Sequence, residues 1–198
     1  AVGVTPVVYA DDPAGIRIRG GYLPVPLMAL RVSSDRPFHL YARKRVDNAL
    51  RYVLYRAPQT ALHRETLDRL AANRVEFLYI RTADHRQYTR YLELNLDQSM
   101  SDPALNHRQQ TQILYVTAVR ILEEIFADPD QDGQIRRVLP IVDHIVDRVL
   151  SDSSVLSSLA SMNCHDYYTA THMVNVSGYM AALAVAGGIV DRNVLREV

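Results

Sequence analysis

The chain has 198 residues, 48% of them hydrophobic, with 22 Lys plus Arg against 22 Asp plus Glu. That content can bury a core for one large domain or two small ones and excludes a disordered tail, while the charge balance disfavours generic binding to nucleic acid or to an anionic membrane surface. A single Cys164 excludes a disulfide framework, no stretch has the length of apolar residues that a membrane span needs, and the N-terminus lacks the layout of a secretory signal, so a cytoplasmic location is expected.

From Ala1 to about Arg81 the pattern is mixed. Phe38 to Arg43 and Leu50 to Tyr55 read as strands, the second because Leu50, Tyr52 and Leu54 alternate with Arg51 and Val53. Leu62, Leu67, Leu70 and Ala71, set among Arg, Glu and Asp, predict a short amphipathic helix. Val75 to Ile80 (VEFLYI) then predicts a buried strand. Arg17, Arg19, Arg43 and Arg45 could line an anion pocket, but solvated strand charges explain them more economically.

After Ala83 the periodicity becomes helical. Asp84 suits a cap, and Tyr88, Tyr91, Leu92 and Leu96 follow at three- and four-residue steps until Asp102-Pro103 interrupts them. Ile113, Leu114, Thr117, Ala118, Ile121, Leu122 and Ile125 form one stripe, and Ile135, Val138, Val142, Ile145 and Val149 form another. The two predict a helical hairpin whose apolar seam serves either the chain's own core or a second copy. Pro140 should kink the second helix or mark its true beginning. Val155 to Val198 carries two more helical patterns, broken near Asn163 to Asp166; the small apolar run from Leu183 to Gly188 should let the last helix approach its neighbours and end at Gly187-Gly188.

Two constellations bear on chemistry. Asp128-Pro129-Asp130-Gln131-Asp132-Gly133 matches the first places of a calcium loop, with oxygens at places one, three and five and Gly at the turn. The twelfth place, which should be a bidentate Glu, is Leu139, and the ninth is Arg136, so an acidic inter-helix turn is the stronger reading. In the second constellation His165 and His172 stand seven residues apart and would share a helix face. Neutral imidazole is the commonest transition-metal ligand, yet two His and one Asp cannot hold two ions.

The run HDYYTATHMVNVSGYMAALA, His165 to Ala184, resembles the opening helix of an HD-GYP domain, the metal-dependent phosphodiesterase branch of the HD superfamily. In that likeness the family's first metal-binding His falls on His172 and its Tyr-Thr pair on Tyr168 and Thr169. Tyr168 stands where members resembling three-metal enzymes have Glu, so the likeness points to the two-metal kind. His165-Asp166 is not the family's defining His-Asp dyad, which lies on a later helix; Asp166 suits a cap for a helix beginning near Tyr167.

The resemblance implies an α+β chain, with a small N-terminal α+β regulatory module over 1–83, connecting helices over 84–150 and, over 151–198, the incomplete opening of an all-helical HD domain, truncated before the dyad. It further implies that the intact parent hydrolyses cyclic di-GMP with a pair of divalent transition metals, His172 being one ligand, while this chain alone holds no complete catalytic or cofactor site. Beside this reading stand two others: a stand-alone signalling module that forms a homodimer through the connecting helices, and a calcium-responsive module. Because Leu139 supplies no carboxylate, added calcium is expected to leave the melting temperature unchanged; a clear rise in a thermal melt would revive the calcium reading.

Overall fold

The computed structural model describes residues 21–32, 35–129, 133–151 and 169–197, with backbone alone for Ile135 and Thr169. They fall into two compact units that divide at Asn95 and Leu96. The chain is α+β; among the described residues the strands lie in the first unit and helices fill the second.

In the first unit β1 (Tyr22–Pro26), β2 (Leu40–Val46), β3 (Ala49–Arg56) and β4 (Phe77–Arg81) form an antiparallel sheet in the order β1-β4-β2-β3. The hairpin joining β2 and β3 turns on Asp47 and Asn48, at φ 49° and 60°, the left-handed geometry that two-residue hairpins demand and that Asp and Asn tolerate. β4 lies between β1 and β2, and Leu78, Tyr79 and Ile80 are buried in succession, as the unbroken apolar run predicts for an inner strand.

Alternation and register give the sheet two faces. Leu23, Val25, Leu78 and Ile80 share one and are buried, as are Phe38, Leu62, Tyr88, Tyr91 and Leu92 in the same unit. The other carries a tyrosine from each strand. Tyr22 stacks on Tyr52 at 4.0 Å and meets Tyr41 edge-on at 5.0 Å, while Tyr52 meets Tyr79 edge-on at 5.0 Å. The predicted alternation in β3 needs correction: Tyr52 is buried, but Leu54 is 53% exposed, because β3 is an edge strand with a neighbour on one side only.

Arg36, 2% exposed, holds the irregular segment before β2 in place. Its guanidinium donates to the carbonyls of Phe38 and Ala57 and lies 5.5 Å from the centre of the Phe38 ring, and its own carbonyl accepts from the Gln59 N–H at 2.9 Å. Burial lowers its pKa, partly offset by Tyr91, yet an arginine stays charged at any physiological pH.

α1 (Arg64–Ala72) begins after His63 and ends in a Schellman turn, with Val75 N–H to the Leu70 carbonyl at 3.0 Å and Arg74 N–H to that of Ala71 at 2.9 Å. Arg74 sits at φ 58°, where glycine is usual, at a cost of about 1 kcal/mol. A 3-10 turn, Thr82–Asp84, leads into α2 (His85–Met100), so Asp84 closes that turn just ahead of the helix.

The second unit contains α3 (His107–Ala127), α4 (Gln134–Ser151), α5 (Thr169–Ala186) and α6 (Arg192–Glu197). A capping box starts α3, Asn106 accepting from Gln109 N–H and Gln109 answering to Asn106 N–H, both at 2.9 Å. Ile113, Leu114, Thr117, Ala118 and Ile121 are buried, and α3 packs on both α4 and α5. α4 starts at Gln134 and runs through Pro140, so the proline does not mark its beginning; the first turns of the helix lie ahead of it. Its buried positions are Ile141, Val146 and Val149, whereas Val138, Val142 and Ile145 are only partly covered. Arg137 reaches Glu124 of α3 at 2.7 Å, and Arg192 and Arg196 of α6 reach Asp147 and Asp143 of α4 at 2.5 and 2.7 Å.

α5 ends where its glycines predict, in a second Schellman turn: Ile189 N–H meets the Ala184 carbonyl at 2.9 Å with Gly188 at φ 92°. The residues that allow close approach are corrected. Ala181 and Ala182 pack against Val149, while Leu183 is 66% exposed, because the inward arc is set by the helix rather than by where small residues run together. Among the described residues no helix is long and apolar enough to cross a membrane. Arg36→Leu would leave the buried Phe38 carbonyl without its donor and free that of Ala57 to water, and the expected loss is about 1–3 kcal/mol in urea denaturation; a change under about 0.5 kcal/mol would show that another donor reaches the Phe38 carbonyl.

Candidate functional site

The residue singled out by sequence, His172, lies in the first turn of α5 and is exposed. At 3.6 residues per turn the inward arc of this helix holds Ala170, Val174, Gly178 and Ala181, all buried. His172 falls on the opposite arc together with Met173, Val176, Met180 and Leu183, which are 41%, 38%, 47% and 66% exposed. The three-four-three spacing of these large apolar residues gives α5 a second apolar face, directed away from α3 and α4. The imidazole thus stands at one end of an outward apolar stripe.

On the inward side, α3, α4 and α5 enclose a crevice of about 20 Å³ lined by Leu114, Tyr115, Ala118, Ile145, Val174 and Gly178 among others. It has room for about one water and none for a substrate.

A larger hollow of about 590 Å³ lies where the end of α2 meets α3 and α4, with Asp97, Asp102, His107, His144, Asp147 and Arg148 in its wall. Its polar groups are turned toward one another: His144 Nε2 lies 2.8 Å from Asp97, Arg148 donates to the Gln110 side chain at 2.7 Å, and Gln110 donates to the Met100 carbonyl at 3.0 Å. These contacts fasten the end of α2 to α3 and α4. Among the described residues no three His, Cys, Asp or Glu side chains come together as a metal-holding set.

The remaining sequence candidates are partly placed. His165, Asp166, Tyr167 and Tyr168, the Asp130 to Asp132 stretch of the acidic loop, and Arg17 and Arg19 lie outside the described residues. The ends of that loop are seen. The Asp128 carbonyl accepts from the Gln134 side chain at 3.2 Å, and Leu139 is on α4, 49% exposed. Arg43 and Arg45 are exposed on β2, with Arg43 5.5 Å from the centre of the Tyr79 ring. Sequence reasoning missed the capping pair Asn106 and Gln109, although an Asn followed three places later by Gln is a legible signal; it also missed Arg36, for which nothing in the local pattern speaks.

No protein-family profile matches the chain, and no curated protein matches its sequence. Among solved structures the chain is similar to Bd1817, a HDG"Y"P protein from Bdellovibrio bacteriovorus, with a TM-score of 0.54 and 22% identity over 88% of this chain. The chain spans 56% of the length of that structure. At this identity the likeness concerns the fold.

If the outward face of α5 plays no part in holding these 198 residues together, Met180→Glu and Leu183→Glu should each shift unfolding by no more than about 0.5 kcal/mol. A thermal or urea melt checks this, and a loss several times larger would show that the stripe is covered within the chain.

Proposed function

We propose that these residues form the regulatory region and opening helices of an HD-GYP-type, metal-dependent phosphodiesterase that hydrolyses cyclic di-GMP in the cytoplasm. His172 is one ligand of its divalent metal pair, and the other ligands belong to residues of the longer protein beyond these 198. The observation that carries the reading is the placement of His172 on the outward apolar face of α5. A ligand meant for a site enclosed by further helices belongs on a face that the described residues leave open. The fold likeness to an HD-GYP protein supports it, as does the run from His165 to Ala184.

The described side chains do not by themselves fit a metal pair. His172 offers one imidazole, and among the described residues no carboxylate or second histidine joins it in a set of three. What its residues do is positional. The inward alanines and Gly178 seat α5 on α3 and α4, and a helix so seated presents its first-turn imidazole at a fixed place on the outward face. A homodimer through the connecting helices is the second reading; exposed Leu139 and Leu150 on α4 favour it, while the stripe on α3 is already buried within the chain.

In the longer protein His172→Ala is expected to lower metal-dependent cyclic di-GMP hydrolysis by roughly a hundredfold or more and to reduce bound metal. The melting temperature should move by no more than about 1 °C, since the side chain is exposed. Retained turnover with full metal content would remove His172 from the ligand set. The 198-residue chain alone should show no turnover, and measurable hydrolysis by it would overturn the assignment of the other ligands to residues beyond it.

A further inference from the structure

A third concave feature lies wholly within the sheet unit. β4 pairs with β1 over five residues but with β2 at one position, Tyr41 opposite Tyr79. Past that pair the β2–β3 hairpin and the start of β4 diverge, and the C-terminal end of α1 closes the gap from the side. The resulting cleft measures about 720 Å³, a size typical of small-molecule sites.

Its wall is chemically lopsided. Arg43, Lys44, Arg69 and Arg74 line it against a single carboxylate, Glu76, in a chain with no net charge. Tyr55 and Phe77 add aromatic surface, while the Tyr79 ring, 6% exposed, is already taken up by Tyr52 and by the Arg43 guanidinium 5.5 Å from its centre. Arginine forks match phosphate oxygens in pairs, and aromatic faces take up a planar ring.

Arg74 adds an independent argument. It occupies the left-handed position of the turn that ends α1, at φ 58°, while the same turn at the end of α5 uses Gly188 at φ 92°. The fold alone would favour glycine at both places. An arginine held there despite the strain places its side chain in the wall of the cleft.

We infer that this cleft binds a nucleotide, with Arg43, Lys44, Arg69 and Arg74 receiving the phosphates and the aromatic wall receiving the base. The site is separate from His172 and does not depend on the reading of α5. Inorganic phosphate shares the charge of such a ligand, but it would fill little of the volume and would leave the aromatic wall unused.

The test is isothermal titration of the 198-residue chain with ATP and, separately, with tripolyphosphate, which has the phosphates without the base. ATP is expected to bind with Kd near or below about 100 μM, and tripolyphosphate at least about tenfold more weakly. Arg74→Gly should weaken ATP at least about tenfold while keeping or raising the melting temperature, because glycine suits that backbone. Arg43→Ala should weaken ATP similarly, and Arg51→Ala, on β3 and outside the cleft wall, should leave binding unchanged. No heat with either titrant overturns the proposal. Equal affinity for the two titrants overturns the nucleotide assignment, and ATP binding unaffected by both Arg74→Gly and Arg43→Ala overturns the location.

Discussion

Pairing between β2 and β4 is a single residue pair long, and much of the sheet unit follows from that shortage. A sheet whose middle is joined over one pair cannot draw its coherence from the ladder there, so side chains supply it. On one face the tyrosines of all four strands touch in a connected cluster, and cross-strand aromatic contacts of this kind contribute about 0.5–1.5 kcal/mol each beyond the area they bury. Ahead of β2, the Arg36 guanidinium gathers carbonyls that belong to two different segments. Burial also pushes the phenols of Tyr41, Tyr79 and Tyr91 up from their ordinary range. Each then favours the neutral, folded form, a contribution fully present below pH about 10 and lost as pH rises through the raised values. The same short ladder that needs these supports also lets the hairpin diverge and form a cleft.

The helical unit solves a different problem. α3 is covered by α4 and α5 and is buried over most of its middle, so it acts as the axis of this unit, while the outer helices are held by charge as well as apolar contact. Arg137 with Glu124, and Arg192 and Arg196 with Asp147 and Asp143, are inter-helix pairs. The first is the more sheltered of them, with both side chains a quarter exposed or less, and is worth more than the open pairs to α6, which contribute under about 1 kcal/mol each.

What could be read from sequence was whatever depended on period. The inner strand at Leu78 to Ile80, the helix around Leu67 and Leu70, the stripe on α3 and the glycine end of α5 all follow from spacing and turn chemistry. What could not be read depended on long-range partners. Leu54 alternates like a buried residue and is exposed because of its place in the strand order, a topological fact. Arg36 looks like any loop arginine, and only the return of the chain at Ala57 to Gln59 gives it acceptors and a cover. The cleft cations come from β2 and from the end of α1, separated by some twenty-five positions, so no local motif announces them. His172 was legible as a candidate through resemblance; its outward placement was not, because the weak amphipathicity of a helix apolar on both sides conceals which side faces in.

That two-sidedness is itself informative about α5. Its inward arc uses Ala170, Gly178, Ala181 and Ala182 around Val174, mostly residues with little or no side chain to reposition, which set a close distance to α3 and α4. Its outward arc uses Met173 and Met180 beside Val176 and Leu183, and methionine is the apolar side chain that best adapts its shape to a contact surface. A helix serving only the core of this unit would have little reason to keep four large apolar side chains in water, where each forgoes about 1–2 kcal/mol of burial. The division of small residues inward and large, adaptable ones outward gives α5 two differently built faces, with His172 at the head of the outward one.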